Sequence, residues 1–435
     1  MNGKQIIYQV LPRLWGNGTF ASWNDESFSY LHKLCVDYIW YTGIPRHAAG
    51  KDFVKGNPGS PYAISDWYDV NSYLASNTRR RMQEFCDLVA RTHDAGFKCI
   101  IDFIPNHVAC DYSGDLAVFD YCDGDWTDTR KVNWSDPRTP AECVKILRFW
   151  ASKGVDGFRC DMVELVPLEA LKKVIEEVKS EFPDLLFVAE VYQKENYAPY
   201  SQCFDLLYDK SGSYDILRSI LSGTRSAREL TWNWQSLGVL QQGMLNFLEN
   251  HDEQRLASPW FAGSTEKGWA AVAFSMLFNT ASFMLYAGQE AGENAAEGHE
   301  GRTSIFEWCH PISLGHIWSY IQDGKGLSRQ ERSVLARYKQ LCRLAASPVF
   351  RNGGVWDLCY CQDASFNPDK AFAFARFDGH EAYAVLCNFG PDELEANVQL
   401  PAELLAASGI KTNGAAMKAA PFDCCILKLE CQHQH

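Results

Sequence analysis

Along the chain, short apolar runs too continuous for a half-exposed sheet alternate with amphipathic stretches, the pattern of parallel strands covered by helices. Eight such runs stand out: Ile6 to Leu11, Tyr38 to Gly43, Lys98 to Pro105, Gly157 to Met162, Leu186 to Tyr192, Phe204 to Asp209, Gly243 to Asp252 and Ser282 to Glu290. Between them, helical periodicity predicts helices over Thr78 to Ala95, Pro140 to Lys153, Pro167 to Glu181, Thr265 to Asn279 and Ser328 to Ala346. Within Pro167 to Glu181, Leu168, Leu171, Val174 and Val178 form one stripe, and the Lys and Glu residues take the other face. The alternation predicts an α/β fold, a (β/α)8 TIM barrel over residues 1–346. A doubly wound sheet is the alternative, weakened because no G-x-G-x-x-G follows a strand and no phosphate-cradling G-x-x-x-x-G-K-[ST] occurs.

After Ala346 the pattern shortens to alternating runs, Ala371 to Phe377, Ala382 to Phe389 and Asp423 to Glu430, punctuated by Gly and Pro. Residues 347–435 therefore read as a C-terminal antiparallel β-sandwich domain. The longest apolar stretch, Ala270 to Ala287, is interrupted by Asn279, Thr280 and Ser282, so a buried helix followed by a buried strand is expected rather than a membrane span.

Composition narrows the partners. The chain has 435 residues, 46% hydrophobic and 22% charged, with a net charge of −13. That balance disfavours nucleic acid and anionic membrane surfaces and favours a neutral substrate. The 14 Trp, 19 Tyr and 25 Phe suit stacking on sugar faces or an aromatic core. The 16 Cys are scattered, form no Cys-x-x-Cys pair and often sit in apolar runs, as Cys99 and Cys160 do. They read as buried thiols in a reducing compartment. The opening MNGKQIIYQVLP has no long apolar core of a signal peptide, so the cytoplasm is the expected location. The terminal CQHQH reads as a frayed tail rather than a metal site. Oligomeric state is left open.

Four strand ends carry residues that a buried strand does not spend on packing: Asp102, Asn106 and His107; Arg159 and Asp161; Glu190; and Asn250, His251 and Asp252. Burying them unpaired costs several kcal/mol each, so a site or a dense network is expected. Arg159 and Asp161 share one face of their strand, which lets the guanidinium keep the carboxylate ionised. Glu190 ends the next strand, about 4.7–4.9 Å away. That is close to the roughly 5–5.5 Å carboxyl separation of a retaining glycosidase.

These residues fall in four short regions, DFIPNH, GFRCD, AEVY and NHD, in the order by which the alpha-amylase family of glycoside hydrolases is recognised, and the chain resembles that family from Ile7 to about Glu430. The resemblance implies Asp161 as nucleophile, Glu190 as general acid/base and Asp252 as a third carboxylate that binds sugar hydroxyls. It also implies that Arg159 orients the nucleophile, that Asp102 holds Arg159, that His107 and His251 bind the reacting sugar and that Tyr62 stacks under it. The implied function is retaining hydrolysis of α-1,4-glucosidic bonds in glucans or maltooligosaccharides, with a bell-shaped pH dependence. A glucosyl transferase or isomerase of the same family is the alternative, and a non-catalytic carbohydrate-binding or partner protein, like the amino-acid transporter heavy chains, is a further one.

Two departures bear on substrate. Glu164 and Leu165 stand where many starch-cleaving members carry Lys-His, so the usual acceptor-side contacts are missing. The excursion after the third strand, in which many members hold a calcium ion against the Asn matching Asn106, is reduced to about 108–136. It carries Asp111, Asp115, Asp120, Asp123 and Asp125, but without the D-x-D-x-D-G spacing of a calcium loop. The cleft is therefore expected to be open on that side. No cofactor is expected, and a calcium ion, if held, is not expected to be essential.

Overall fold

The computed structural model describes residues 3–296, 301–363 and 365–431; the tail from 432 to 435, with most of CQHQH, lies outside them. Eight parallel strands close into a barrel: β1 (Ile6–Val10), β2 (Tyr38–Tyr41), β3 (Lys98–Phe103), β4 (Gly157–Cys160), β5 (Leu186–Ala189), β6 (Leu206–Tyr208), β7 (Met244–Phe247) and β8 (Ser282–Tyr286). Each pairs with its sequence neighbours in the ring, and β8 pairs back on β1, with Ile6 opposite Phe283. Apart from Lys98, every residue of these strands is buried, which is why the sequence runs are continuous rather than alternating.

Helices cover the outside. Helix Leu168–Glu181 buries Leu171, Val174 and Val178 of the expected stripe together with Ile175, while Leu168, at the first turn, is only partly buried. Helix Arg329–Ala346 starts in a capping box, with Ser328 and Glu331 each satisfying the other's backbone N–H. Two short antiparallel hairpins rise from the C-terminal face of the barrel: Pro45–His47 with Ile64–Val70 after β2, and His107–Ala109 with Thr129–Lys131 after β3. Among the described residues, no helix is long and apolar enough to cross a membrane.

The C-terminal part contains β9 (Gly354–Asp357), β10 (Ala371–Phe377), β11 (Ala382–Asn388), β12 (Leu394–Gln399), β13 (Gly414–Ala419) and β14 (Cys424–Leu429). Strands β9, β10, β11 and β14 form one antiparallel sheet, and β12 and β13 form a second. Alternation along β10 assigns its two faces. Phe372 and Phe374 join the barrel core, against Phe274 and Phe278 at ring distances of 4.9–5.2 Å, while Ala371, Ala373 and Ala375 face the core shared with β12 and β13. Arg376, fully buried, ties the two parts together by donating to the carbonyls of Leu277, Asn279, Val349, Phe350, Gly353 and Gly354. Burial without a carboxylate partner lowers its pKa to about 9.

Candidate active site

The C-terminal ends of the strands place the candidate residues. Asp161 and Glu190 are the first residues past β4 and β5. These strands pair in register through Cys160 and Ala189, and the Glu190 N–H donates to the Cys160 carbonyl at 3.1 Å. The two carboxyl groups therefore emerge side by side. Met162, immediately after Asp161, has φ +48°, a left-handed conformation that is costly for a side chain of this size and that turns the chain sharply away from the strand.

Arg159 is the hub. Its guanidinium is fully buried and edged by the rings of Trp40, Tyr62 and Tyr208 at 5.4–5.6 Å. Nη1 lies 2.6 Å from Asp161 Oδ1 and 3.7 Å from Asp102 Oδ1, and Nη2 lies 2.9 Å from Glu190 Oε1 and 4.0 Å from Asp252 Oδ2. One cation thus faces four carboxylates. Glu190 is held from its other sides as well, Oε2 accepting from the Met162 N–H at 2.7 Å and Oε1 from the Tyr192 hydroxyl at 2.8 Å.

The electrostatics correct one expectation. Burial, and next the Glu190 carboxylate, push Asp161 well above the ordinary carboxylate range despite the pull of Arg159. The expected ionising effect of Arg159 is outweighed because its charge is shared among several acids and the Asp161 carboxyl is buried. Asp252 moves the other way: burial opposes its ionisation, but His251, Arg159 and Arg302 hold its carboxyl below the usual range. His251 Nε2 lies 2.9 Å from Asp252 Oδ2, and its Nδ1 lies 2.7 Å from the Gln9 amide nitrogen.

Asp102 has a different principal partner from the one expected. It accepts from Trp40 Nε1 at 3.1 Å and from the Tyr62 hydroxyl at 3.2 Å, both closer than Arg159. Tyr62 is thereby fixed with its ring stacked on His251, centroids 4.9 Å apart and planes 14° apart. His107 lies beside Trp126, and burial lowers its pKa to about 4, leaving a neutral imidazole.

Asp161, Glu190, Asp252, Tyr62, His107 and His251 all line one cavity of about 350 Å³, with Arg159 buried directly beneath the carboxylates. Lys55, Trp126, Asp128, Tyr192, Arg302 and Phe306 line it too. Sequence reasoning missed these six. Tyr192 sits in the AEVY motif and was within reach of it, whereas Lys55, Arg302 and Phe306 lie on irregular loops with no periodic signal. The expected opening on the β3 side is not found, because the shortened excursion folds as a hairpin that brings Trp126, Asp128 and Thr129 to the cavity wall.

The same excursion bears on whether Asn106 could hold a calcium ion. Asn106 Nδ2 donates to Asp123 Oδ2 at 2.7 Å, and Lys131 Nζ donates to Asp123 Oδ1 at 2.8 Å. Lys131 is carried there by pairing opposite His107 in the hairpin. A calcium ion needs six to eight oxygen ligands. Here the carboxylate nearest Asn106 already has an ammonium group, and among the described residues no cluster of three acidic, His or Cys side chains is arranged to hold a metal. Of Asn106 and Asp123, only Asn106 Oδ1 is buried without a hydrogen-bond partner, and one free oxygen falls short of the set a calcium ion needs.

The barrel thus closes beneath an arginine-centred group of carboxylates at its C-terminal mouth. The sequence model for the alpha-amylase catalytic domain matches residues 117–343, more than half of the chain, and the chain belongs to the alpha-amylase family. It is 26% identical over 432 residues to alpha-amylase MalA of Haloarcula japonica, covering 91% of this chain and 57% of that protein. It is likewise 26% identical to the mouse amino acid transporter heavy chain SLC3A1, covering 98% of this chain and 76% of that one. The crystal structure of an alpha-amylase from Lactobacillus plantarum superposes with a TM-score of 0.74 at 20% identity, covering 98% of both chains, and so shares the fold.

Proposed function

We propose that this chain is a retaining α-glycoside hydrolase acting on α-1,4-glucosidic bonds in glucans or maltooligosaccharides. The observation that carries the reading is the single guanidinium of Arg159 in contact with both Asp161 and Glu190 inside a sugar-sized cavity. Held on one cation from adjacent strands, the two carboxyl groups flank the space where a glycosidic bond would lie.

In the first step, ionised Asp161 attacks the anomeric carbon. The bond to the leaving oxygen breaks, and that oxygen takes the proton of Glu190. In the second, Glu190 removes a proton from water, the oxygen of that water bonds to the same carbon, and Asp161 leaves. Two inversions retain the α configuration. Asp252, kept ionised by its neighbours, accepts hydrogen bonds from sugar hydroxyls and supports the positive charge that develops on the ring. Tyr62 offers a ring to the sugar, neutral His107 supplies a polar contact, and His251 supplies another. The reading involves no metal or other cofactor. Its partner is a neutral carbohydrate rather than nucleic acid or membrane, and the 16 free cysteines fit a reducing compartment such as the cytoplasm.

Incubation with maltoheptaose, with product anomers followed by NMR, tests the reading. New α-anomers should appear first and mutarotate later; initial β-anomers refute retention. A non-catalytic barrel, as the similarity to the transporter heavy chain would suggest, predicts no turnover at all.

A further inference from the structure

The mouth of the cavity is stitched shut along one side. Arg13, after β1 and 6% exposed, donates to the carbonyls of Ile305 and Glu307 in the loop after β8 and, at 3.5 Å, to that of Gly59 in the loop after β2. Gly56, at φ +66°, lies so close to the β8 loop that a Cβ would stand 1.9 Å from the Phe306 carbonyl oxygen. Its neighbour Lys55 places Nζ 3.8 Å from Asp128 Oδ1 in the loop after β3 and 5.9 Å from the Phe306 ring. Loops from four consecutive positions of the ring, β8, β1, β2 and β3, are thus joined, and Lys55, Asp128 and Phe306 face the same cavity as Asp161 and Glu190.

The ring order shows which end of a sugar chain this wall would meet. Strand β5, which carries Glu190, lies diametrically across the closed barrel from β1. With Glu190 protonating the leaving oxygen, the leaving portion lies toward β5, and the retained sugar points its far, non-reducing end toward the joined loops. A cavity of about 350 Å³ is near the lower end of the roughly 300–1,000 Å³ range of ligand pockets.

Resting on the function proposed above, we propose that the enzyme is exo-acting, that it takes α-glucans by their non-reducing end, and that Lys55 and Asp128 are specificity-determining residues that meet the terminal sugar. The ammonium group of Lys55 has hydrogens to donate and the Asp128 carboxylate can accept, which matches the free 4- and 6-hydroxyls of an unsubstituted terminal glucose. A chain extending beyond that sugar, or one capped at those hydroxyls, would have to displace the ion pair and Phe306.

The test compares two substrates by chromatography of the products: p-nitrophenyl α-maltoheptaoside, and the same compound with the terminal 4- and 6-hydroxyls closed in an ethylidene acetal. The wild type should shorten the free substrate stepwise from its non-reducing end and cleave the blocked one at least a hundredfold more slowly. Equal rates, with internal fragments from the outset, overturn exo-action. Turnover of neither substrate overturns the proposed function itself and this inference with it. The variants Lys55→Ala and Asp128→Asn, checked for folding by circular dichroism, should raise the blocked-to-free ratio at least tenfold. An unchanged ratio in both variants removes these two residues from the specificity assignment.

Discussion

Lys131 Nζ stands 2.8 Å from one oxygen of Asp123, and the Asn106 amide holds the other at 2.7 Å. Burial opposes ionisation of Asp123, but the Lys131 and Asn106 hydrogen bonds hold its carboxyl below the ordinary range, so the ammonium group supplies the positive charge that fastens this short excursion to the barrel. EDTA should therefore leave both activity and melting temperature unchanged. Lys131→Met should lower Tm by about 1–2 °C, since a partly exposed pair is worth roughly 0.2–1 kcal/mol. Differential scanning calorimetry checks both. A loss of several degrees in EDTA, restored by calcium alone, would refute the assignment.

All 16 cysteines are free. Burial raises the thiols of Cys99, Cys160, Cys342 and Cys387 well above their usual range. Dithiothreitol should leave Tm unchanged, and an aromatic disulfide reagent should label these four only after unfolding in guanidinium, because the thiolate is the reacting species. Rapid labelling of any of them in the native protein, read by peptide mass spectrometry, would show that the barrel opens locally at that point.

Glu164, three residues past the candidate nucleophile, turns away from the cavity and serves the neighbouring loop. Its carboxylate accepts from the backbone N–H groups of Tyr192 and Gln193 at 2.9 and 3.1 Å, and from the Asn196 amide at 2.6 Å. Tyr192 in turn donates its hydroxyl to Glu190. Glu164→Ala should cost about 1–2 kcal/mol of stability for the lost charge-assisted bonds. It should also lower kcat roughly 10- to 100-fold through misplacement of Tyr192. Leu165→Ala, at a position 41% exposed, should alter stability by no more than about 0.5 kcal/mol. Equal effects from the two substitutions would remove Glu164 from the positioning of the acid.

The barrel was legible because burial on both faces demands unbroken apolar strands, and all eight predicted runs contain a barrel strand. Their ends were less so. The run predicted from Gly243 to Asp252 forms strand only over Met244–Phe247, and Asn250, His251 and Asp252 lie beyond it, where polar side chains turn into the site. Helices Asp25–His32, Arg228–Leu237 and Ile312–Asp323 were not predicted. The first is short, and the other two leave large apolar residues exposed, Trp232 at 60% and Ile312 at 70%, which blurs the stripe that periodicity detects. Of the site, the charged residues at strand ends were visible because burial makes them expensive. The wall of Lys55, Asp128 and Phe306 was not, because it depends on contacts between loops far apart in sequence. The direction in which Asp161 shifts could not be read either, since it depends on how one guanidinium is divided among several carboxylates.

That shift has two consequences of opposite sign for activity and stability. In the proposed mechanism attack requires ionised Asp161, so the acid limb of kcat/KM should fall at a pH above the ordinary Asp value of about 3.9. For folding, a pKa raised above the unfolded value means that the native state binds the proton more tightly. The stability this group contributes is complete below the unfolded pKa and is lost as pH rises through the folded one. At neutral pH, then, ionised Asp161 is a net cost in a buried site that also holds Glu190, Asp102 and Asp252 around a single arginine. Asp161→Asn keeps the shape and removes the charge. It should reduce turnover on the order of a thousandfold or more. It should also raise Tm at pH 7, with the gain shrinking as pH is lowered toward 4. Thermal melts of both proteins across that range decide the point: a lower Tm for the variant at pH 7 would show that the Arg159 contact outweighs the cost of burial and of Glu190, contrary to the direction argued here.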